Sequence, residues 1–240
     1  MIIHSHILAY NEEKILPFTL DYYSNICDKI FIHDNMSTDS SDEIYKKYPK
    51  VTVLKWNSNN QIDENNYLKI KNEEYKKYSR DADWVIVCDC DEFLYHESLL
   101  NKLKEYYDKG VTIPYVVGYE MISETFPNYD GELITEKIKI GYGEAPELSK
   151  HVVFNPKIDI RYSTGAHSAS SNNTIHSKEK ELKLLHYKLL GKDYISKIYK
   201  SRSERLSEIN KKYSWGNHYL DINKKYEIMD INLKLNNKII

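Results

Sequence analysis

With 240 residues, 41% of them hydrophobic and 12% aromatic, the chain has material for one domain of generous size or one domain plus a helical extension. Its formal net charge of −2 gives no global reason to expect a nucleic-acid partner. Three cysteines are too few for a disulfide framework, and residues 1–8, interrupted by His4 and His6, do not make a secretory signal.

No window reaches the ~20 apolar residues of a membrane span. The expected location is therefore cytoplasmic, with peripheral membrane contact as the alternative.

Residues 1–9 read as a first strand, apolar at Ile2, Ile3, Ile7 and Leu8. Tyr10-Asn11-Glu12-Glu13 then opens a helix to about Tyr23, with Pro17 in its first turns, where proline is tolerated. A second strand, residues 29–33, stops at Asp34. Ser40 and Glu43 have the spacing of a capping box, which predicts a helix to about Tyr48. A third strand follows over 51–54, a helix over 63–78 and a fourth strand over 84–88. This βαβαβαβ order predicts a Rossmann-like, mostly parallel sheet flanked by helices. Right-handed connections place the ends of the first, second and fourth strands on one rim, so Asn11, Asp34 and Asp89 are expected to converge.

The second half is mixed. A helix is predicted over 98–107, and strands over 111–117, 132–140, 151–154 and 182–189. A basic helix follows from Asp193 to about Lys212, and the tail from Ser214 is ambiguous. The expected organisation is a single domain over 1–240: a nucleotide-binding half (1–95), an acceptor half (96–190) and a helical tail (191–240).

Chemistry concentrates after the fourth strand, where Trp84-Val85-Ile86-Val87-Cys88 runs into Asp89-Cys90-Asp91-Glu92. A strand buried on both faces cannot carry such charge in its middle, because each unpaired carboxylate costs several kcal/mol (order of magnitude) to desolvate. The acids therefore fall at the strand's C-terminal end, where open α/β sheets bind ligands. Two aspartates there suit a hard divalent cation that shares its oxygen ligands with a substrate diphosphate. A Cys-x-Cys zinc site is disfavoured: there is no second cysteine pair, and Cys88 belongs to the apolar strand.

Taken together, Ala9-Tyr10-Asn11-Glu12, Asp34-Asn35 with Ser37-Thr38-Asp39, Gln61 with Asn66, and Asp89-Cys90-Asp91-Glu92-Phe93 resemble the GT-A fold glycosyltransferases, close to the large family-2-like group and relatives with an Asp-x-Asp-Glu-Phe motif. The match covers about the first hundred residues. Beyond it, only Lys150 with Asn155-Pro156, Gly165-Ala166-His167 and Leu185-His186-Tyr187 match, and loosely. The resemblance implies metal-dependent transfer of a sugar from a nucleotide-diphosphate donor, a UDP-sugar, to a glycan or glycoconjugate acceptor, with Mn²⁺ or Mg²⁺ as cofactor. It implies donor contacts from Ala9, Asn11, Asp34, Asn66, Asp89, Cys90 and Lys150. Metal ligation falls to Asp89 and Asp91, with His186 completing the shell and His167 as the next candidate. Asp91 also counts as catalytic.

Inverting transfer also needs a carboxylate that takes the acceptor's proton. Glu120, Glu144 and Glu147 are the candidates, and Glu147 is favoured. Stereochemistry itself stays open at this point. The more ordinary readings are a loop-capping Asp34, an exposed Asn66, a core His186 and a solvated basic face at Lys192, Lys197, Lys200, Arg202 and Arg205. Competing functions are a non-catalytic sugar-nucleotide-binding domain and an Asp-x-Asp phosphatase, though phosphatases of that kind carry their motif on the first strand.

Overall fold

Two sheets meet at Cys90 and Asp91, and everything else in the chain is arranged around that junction. The computed structural model describes residues 1–143 and 146–240. In chain order the helices and strands are β1 (Ile3–Ala9), α1 (Leu16–Ser24), β2 (Lys29–Asp34), α2 (Ser41–Tyr45), β3 (Val51–Lys55), α3 (Glu64–Tyr78) and β4 (Trp84–Asp89). They continue with β5 (Glu92–Tyr95), α4 (Leu99–Asp108), β6 (Val116–Ser123), α5 (Ile134–Lys137), β7 (Gly141–Gly143) and β8 (Val153–Phe154). The remainder are β9 (Arg161–Tyr162), β10 (Ala169–Ser170), β11 (Leu182–Leu190), α6 (Lys192–Glu204), α7 (Glu208–Lys212) and α8 (Ile222–Leu235).

The first sheet has the order β3-β2-β1-β4-β8, parallel except for the antiparallel β8 at its edge. The second runs β5-β11-β6-β7, with β11 antiparallel to β5 and parallel to β6. The chain thus crosses from one sheet to the other between Asp89 and Glu92. This is the expected α/β architecture, with a mixed second half and a helical C-terminal extension. Among the described residues, no helix is long and apolar enough to cross a membrane.

Several expectations are corrected. The first helix begins at Leu16, not Tyr10, because Asn11 adopts a left-handed backbone (φ 53°) and the loop through Glu13 is held by side chains of the next loop. Ser40 makes no side-chain cap on α2; Asp39 accepts the Ser41 N–H instead, at 3.1 Å. The strand expected over 132–140 is replaced by the short helix α5, and the strand expected over 111–117 forms further on, as β6. The basic helix is broken into α6 and α7, where Ile62 and Leu206 form a β-bridge, and the ambiguous tail forms α8.

Between the first sheet and α3 lies a buried histidine cluster. His6 bonds His33 at 2.9 Å and Ser79 at 2.8 Å, and His4 reaches the same Ser79 hydroxyl at 3.0 Å. All three rings are almost wholly buried. Burial lowers the pKa of each, that of His33 to about 4 from 6.5. The unfolded chain therefore binds protons that the folded chain refuses, so this stability is complete above the ordinary histidine range and is lost as pH falls below it. We expect the melting temperature to drop from about pH 7 to about pH 5, with His33 alone worth about 2 kcal/mol there. A flat melting profile over that interval would contradict it.

Candidate active site

The C-terminal ends of β1, β2 and β4 do lie on one rim, and those of β1 and β4 open on a cleft of about 800 Å³. Ala9, Tyr10, Asn11, Asp89, Cys90 and Lys150 all line it. Asn11 organises the entrance: its N–H donates to Ser37 Oγ at 2.9 Å, and its side-chain oxygen accepts the Thr38 N–H at 2.7 Å. The Cys90 thiol donates to the Leu8 carbonyl at 3.4 Å, which ties the junction between the sheets to β1.

Asp34 ends on the same rim but does not face the cleft. It is fully buried and accepts from Ser37 N–H (2.8 Å), Tyr45 Oη (2.8 Å) and Lys55 Nζ (3.0 Å). Burial pushes its pKa up, yet these bonds outweigh burial and hold it below the ordinary carboxylate value. Its geometry is that of a loop anchor. Asp34→Ala is accordingly expected to cost about 2–4 kcal/mol in denaturant unfolding, because Tyr45 and Lys55 are left without their partner. An unchanged unfolding midpoint would count against the anchor role.

Asn66 is exposed on α3 and is not among the residues that line the cleft. The same helix instead presents Glu64, Tyr67 and Lys71 to the cleft. Their i, i+3, i+7 spacing puts them on one face and was the signal available in the sequence.

The acidic cluster is matched by cations from four separate elements. Lys71 on α3 lies 3.2 Å from Asp89, and Lys150 lies 3.4 Å from the other Asp89 oxygen while also pairing with Glu92. Lys188 and Arg202 each approach Asp91 at 3.7 Å, and Arg202 donates to Glu12 at 3.2 Å. Burial raises the Asp89 and Glu92 pKa values, but Lys71 and Lys150 at Asp89, and Lys150 at Glu92, reverse the sign. Asp89 ends well below its ordinary value and Glu92 at about 2. Glu12 goes the other way: burial takes it up to about 7 despite Arg202.

Asp91 differs from its neighbours. It is 1% exposed, and neither carboxylate oxygen has a hydrogen-bond partner among the described residues. Oxygens of Asp89, Asp91 and Glu92 lie within 4.8 Å of one another. Hard oxygen donors at this spacing, two of them unsatisfied, fit a divalent cation such as Mn²⁺ or Mg²⁺.

His186 is placed behind this group. Its Nε2 donates to the Leu148 carbonyl at 2.7 Å, so Nδ1 is the unprotonated nitrogen, and it faces Glu92 at 3.5 Å. Burial lowers its pKa to about 4, which keeps the ring neutral. It lies outside the three-carboxylate set and touches Glu92, not Asp91. His167 lines the same cleft from the turn at 164–166.

Of the three acids considered as proton acceptors, Glu147 is exposed on a 3₁₀ turn at the cleft wall and Glu120 is buried in β6 at the same wall. Glu144 lies outside the described residues.

The basic stretch in α6 and after it is expected to be a solvated face, with diphosphate or an anionic membrane as its alternative partners, and for two of its residues the structure differs from the solvated expectation. Arg202 joins Glu12, Asp91 and Tyr219, donating to the Tyr219 hydroxyl at 3.1 Å. Arg205 stacks on Tyr10 with its guanidinium 3.2 Å from the ring centroid and donates to the Asn60 carbonyl. Sequence alone could not separate these arginines from the exposed lysines beside them, because Glu12 lies 190 residues from Arg202 and Asn60 lies 145 from Arg205. Trp215 and Tyr219, from the segment between α7 and α8, close the cleft on this side.

Comparison with known proteins agrees with this fold. The fold is similar to that of S. aureus TarS, with a TM-score of 0.52 at 13% identity; the alignment covers 83% of this chain and 38% of TarS. The chain therefore spans less than two thirds of that protein. A structure of S. aureus TarS 1–349 in complex with UDP-GlcNAc aligns with a TM-score of 0.49 at 13% identity, over 84% of this chain and 66% of that one. No curated protein sequence matches. The family model for glycosyl transferase family 2 matches residues 6–158, which takes in the first sheet, the acidic junction, Lys150 and much of the cleft. On that match the chain belongs to glycosyl transferase family 2.

Proposed function

We propose that the enzyme transfers a sugar from a UDP-sugar to a hydroxyl of a glycan or glycoconjugate, with Mn²⁺ or Mg²⁺ held at Asp91 beside Asp89. The observation that carries this reading is Asp91 itself, a buried carboxylate at the rim of a parallel sheet whose two oxygens have no hydrogen-bond partner among the described residues. When bound, the metal supplies positive charge against the diphosphate and its developing negative charge. The chain's own contribution is a set of fixed cations. Lys71, Lys150, Lys188 and Arg202 are all buried or half-buried and already oriented by Asp89, Asp91, Glu92 and Glu12. Preorganised charge of this kind stabilises a leaving diphosphate without reorganising during the reaction. Ala9, Tyr10 and Asn11 supply the nearest wall for the nucleoside, and the Asn11 clamp on Ser37 and Thr38 fixes that wall.

A phosphatase needs a free aspartate nucleophile. Here Asp91 is 1% exposed and Asp89 is paired with two lysines, which opposes that chemistry. The test is a thermal-shift panel of UDP-GlcNAc, UDP-glucose, GDP-mannose and ADP-glucose with Mn²⁺ or Mg²⁺. A donor at about 100 times its dissociation constant adds roughly 2.7 kcal/mol of stability. UDP-sugars are expected to stabilise most and to be slowly hydrolysed. Stabilisation without hydrolysis or transfer would leave a binding domain, and no response to any nucleotide sugar would reject the reading.

A further inference from the structure

We infer that the donor's base is read by Arg205 and Asn210, in the segment that joins α6 to α7, and that this pair selects uracil over cytosine. The inference rests on the sugar-transfer reading above and names the residues that choose its donor. Both lie beyond residues 6–158, the stretch that the family model matches.

The segment is a strap fastened to the loop before α3. The Ile62 N–H donates to the Arg205 carbonyl at 2.6 Å, and the Ser207 N–H donates to the Ile62 carbonyl at 3.1 Å. Both Arg205 and Asn210 line the cleft. Arg205 is fixed by its stack on Tyr10 and by the bond from its Nε to the Asn60 carbonyl at 3.2 Å. Its Nη2 is nevertheless buried without a partner among the described residues. Asn210 is fully buried, and its Oδ1 accepts from the Glu64 N–H at 3.2 Å and the Ser207 hydroxyl at 3.1 Å. Those two donors settle which way the amide points. Its Nδ2 is then left with no partner among the described residues. Buried donors are costly to leave unpaired, so two of them lining one cleft call for a ligand that brings acceptors.

The walls around the pair suit a flat ligand. Tyr10 lies under Arg205, and Tyr67 approaches the same guanidinium. Trp56 meets Tyr67 edge-on at 5.5 Å, and the backbone N–H of Trp215 donates to the Asn210 carbonyl at 2.8 Å. All four aromatic residues line the cleft, and aromatic faces take up bases by stacking. The span to the acidic site fits as well. Lys71 on α3 pairs with Asp89, while Glu64 at the start of the same helix meets Asn210, about 10 Å away along the axis. A ribose fits between a diphosphate at one end and a base at the other.

The order of the two donors sets what each reads. Arg202, which reaches Asp91, precedes Arg205 by less than a helical turn, so Arg205 is the donor nearer the diphosphate. It meets O2, the carbonyl beside the ribose, and Asn210 meets the distal carbonyl O4. Cytosine keeps O2 but carries an amino group in place of O4, which sets one donor against another at Asn210. Asp34 does not take this part, because Ser37, Tyr45 and Lys55 occupy its oxygens.

The test is calorimetric titration of UDP and of CDP, each with Mn²⁺, beside a melting curve for every variant. The native enzyme should bind UDP about 10–100-fold more tightly than CDP, the range expected when one buried donor loses its acceptor. Asn210→Asp keeps the oxygen held by Glu64 and Ser207 and puts a second oxygen in place of Nδ2. It should bring the UDP-to-CDP affinity ratio to one or below, because the new oxygen accepts from the cytosine amino group. Arg205→Met should weaken both nucleotides alike, and Asp34→Asn should keep the native ratio. A merely structural Asn210 would weaken both nucleotides in Asn210→Asp and leave their ratio unchanged. That result, or equal affinity of the native enzyme for UDP and CDP, would overturn the inference and leave sugar transfer standing. So would a ratio that collapses in Asp34→Asn. If Asn210→Asp does not fold, the native ratio and Asp34→Asn still decide. Native protein that binds neither nucleotide would overturn the transfer reading, and this inference with it.

Discussion

Asp91→Asn should lower sugar transfer by about 10²–10³-fold, the usual loss when one element of preorganised charge stabilisation is removed. The melting temperature should change little. Most buried carboxylates lend stability through the hydrogen bonds they accept, and their loss unfolds the protein in part. Asp91 accepts none among the described residues, and its ion pairs with Lys188 and Arg202 are loose, at 3.7 Å. Arg202 keeps Glu12 as a partner in the variant. Function and stability are thus separated at this residue, as expected where a site concentrates charge for a ligand. The pair of measurements is a donor hydrolysis rate and a melting curve on the same preparation. A variant that transfers sugar normally, or one that loses activity only because it unfolds, would remove Asp91 from the site.

Lys150→Met should have the largest effect on stability, a loss of about 3–5 kcal/mol in denaturant unfolding. Glu92 is fully buried, and Lys150 is the main reason it remains ionised, with a pKa of about 2 against burial that pushes it upward. Without the ammonium, Glu92 keeps a costly charge or takes up a proton, and in either case His186 at 3.5 Å is too weakly charged to replace the lysine. The double variant Glu92→Gln, Lys150→Met should recover much of the loss, because no unpaired charge remains. The native enzyme carries the same signature in its pH dependence. The folded pKa of Glu92 lies below its ordinary value of 4.5, so its contribution is present above that value and is lost as pH falls through it towards about 2. Donor affinity should also fall in Lys150→Met, because the ammonium lies 3.4 Å from Asp89 in the cleft. A single variant as stable as native, or a double variant no better than the single, would contradict this account of the pair.

The two halves of the chain differ in how far their structure could be read in advance. From β1 to β4 the apolar runs are short, bounded by turns and spaced for crossover helices, so strand order and the rim on which Asp89 falls follow from local pattern and handedness. The second sheet is built from β5, β11, β6 and β7, whose pairings join residues up to about ninety positions apart, such as His186 with Glu92. No local period records such pairing. The misread stretch over 132–140 alternates like a strand, but α5 buries Ile134 in the main core, and tertiary burial overrides the pattern.

The site shows the same division. Asp89, Asp91 and Asn11 stand out because charge or a turn residue interrupts an apolar strand. The cations that balance them do not stand out. Lys71, Lys188 and Arg202 are chemically indistinguishable in sequence from exposed neighbours, and only the fold reveals that the acids require them. Asp34 shows what position alone leaves out. Its position at a strand end is right for a ligand contact, yet Ser37, Tyr45 and Lys55 consume its acceptor capacity.

The central claim, that this cleft binds a nucleoside diphosphate through a metal held at Asp91, is tested most directly by calorimetric titration of UDP with and without Mn²⁺. UDP should bind the native enzyme at least tenfold more tightly with Mn²⁺ than without it, a difference of about 1.4 kcal/mol or more. Asp91→Asn should abolish that difference. Equal UDP affinity in the presence and absence of metal, or a metal effect that survives in Asp91→Asn, would contradict the claim.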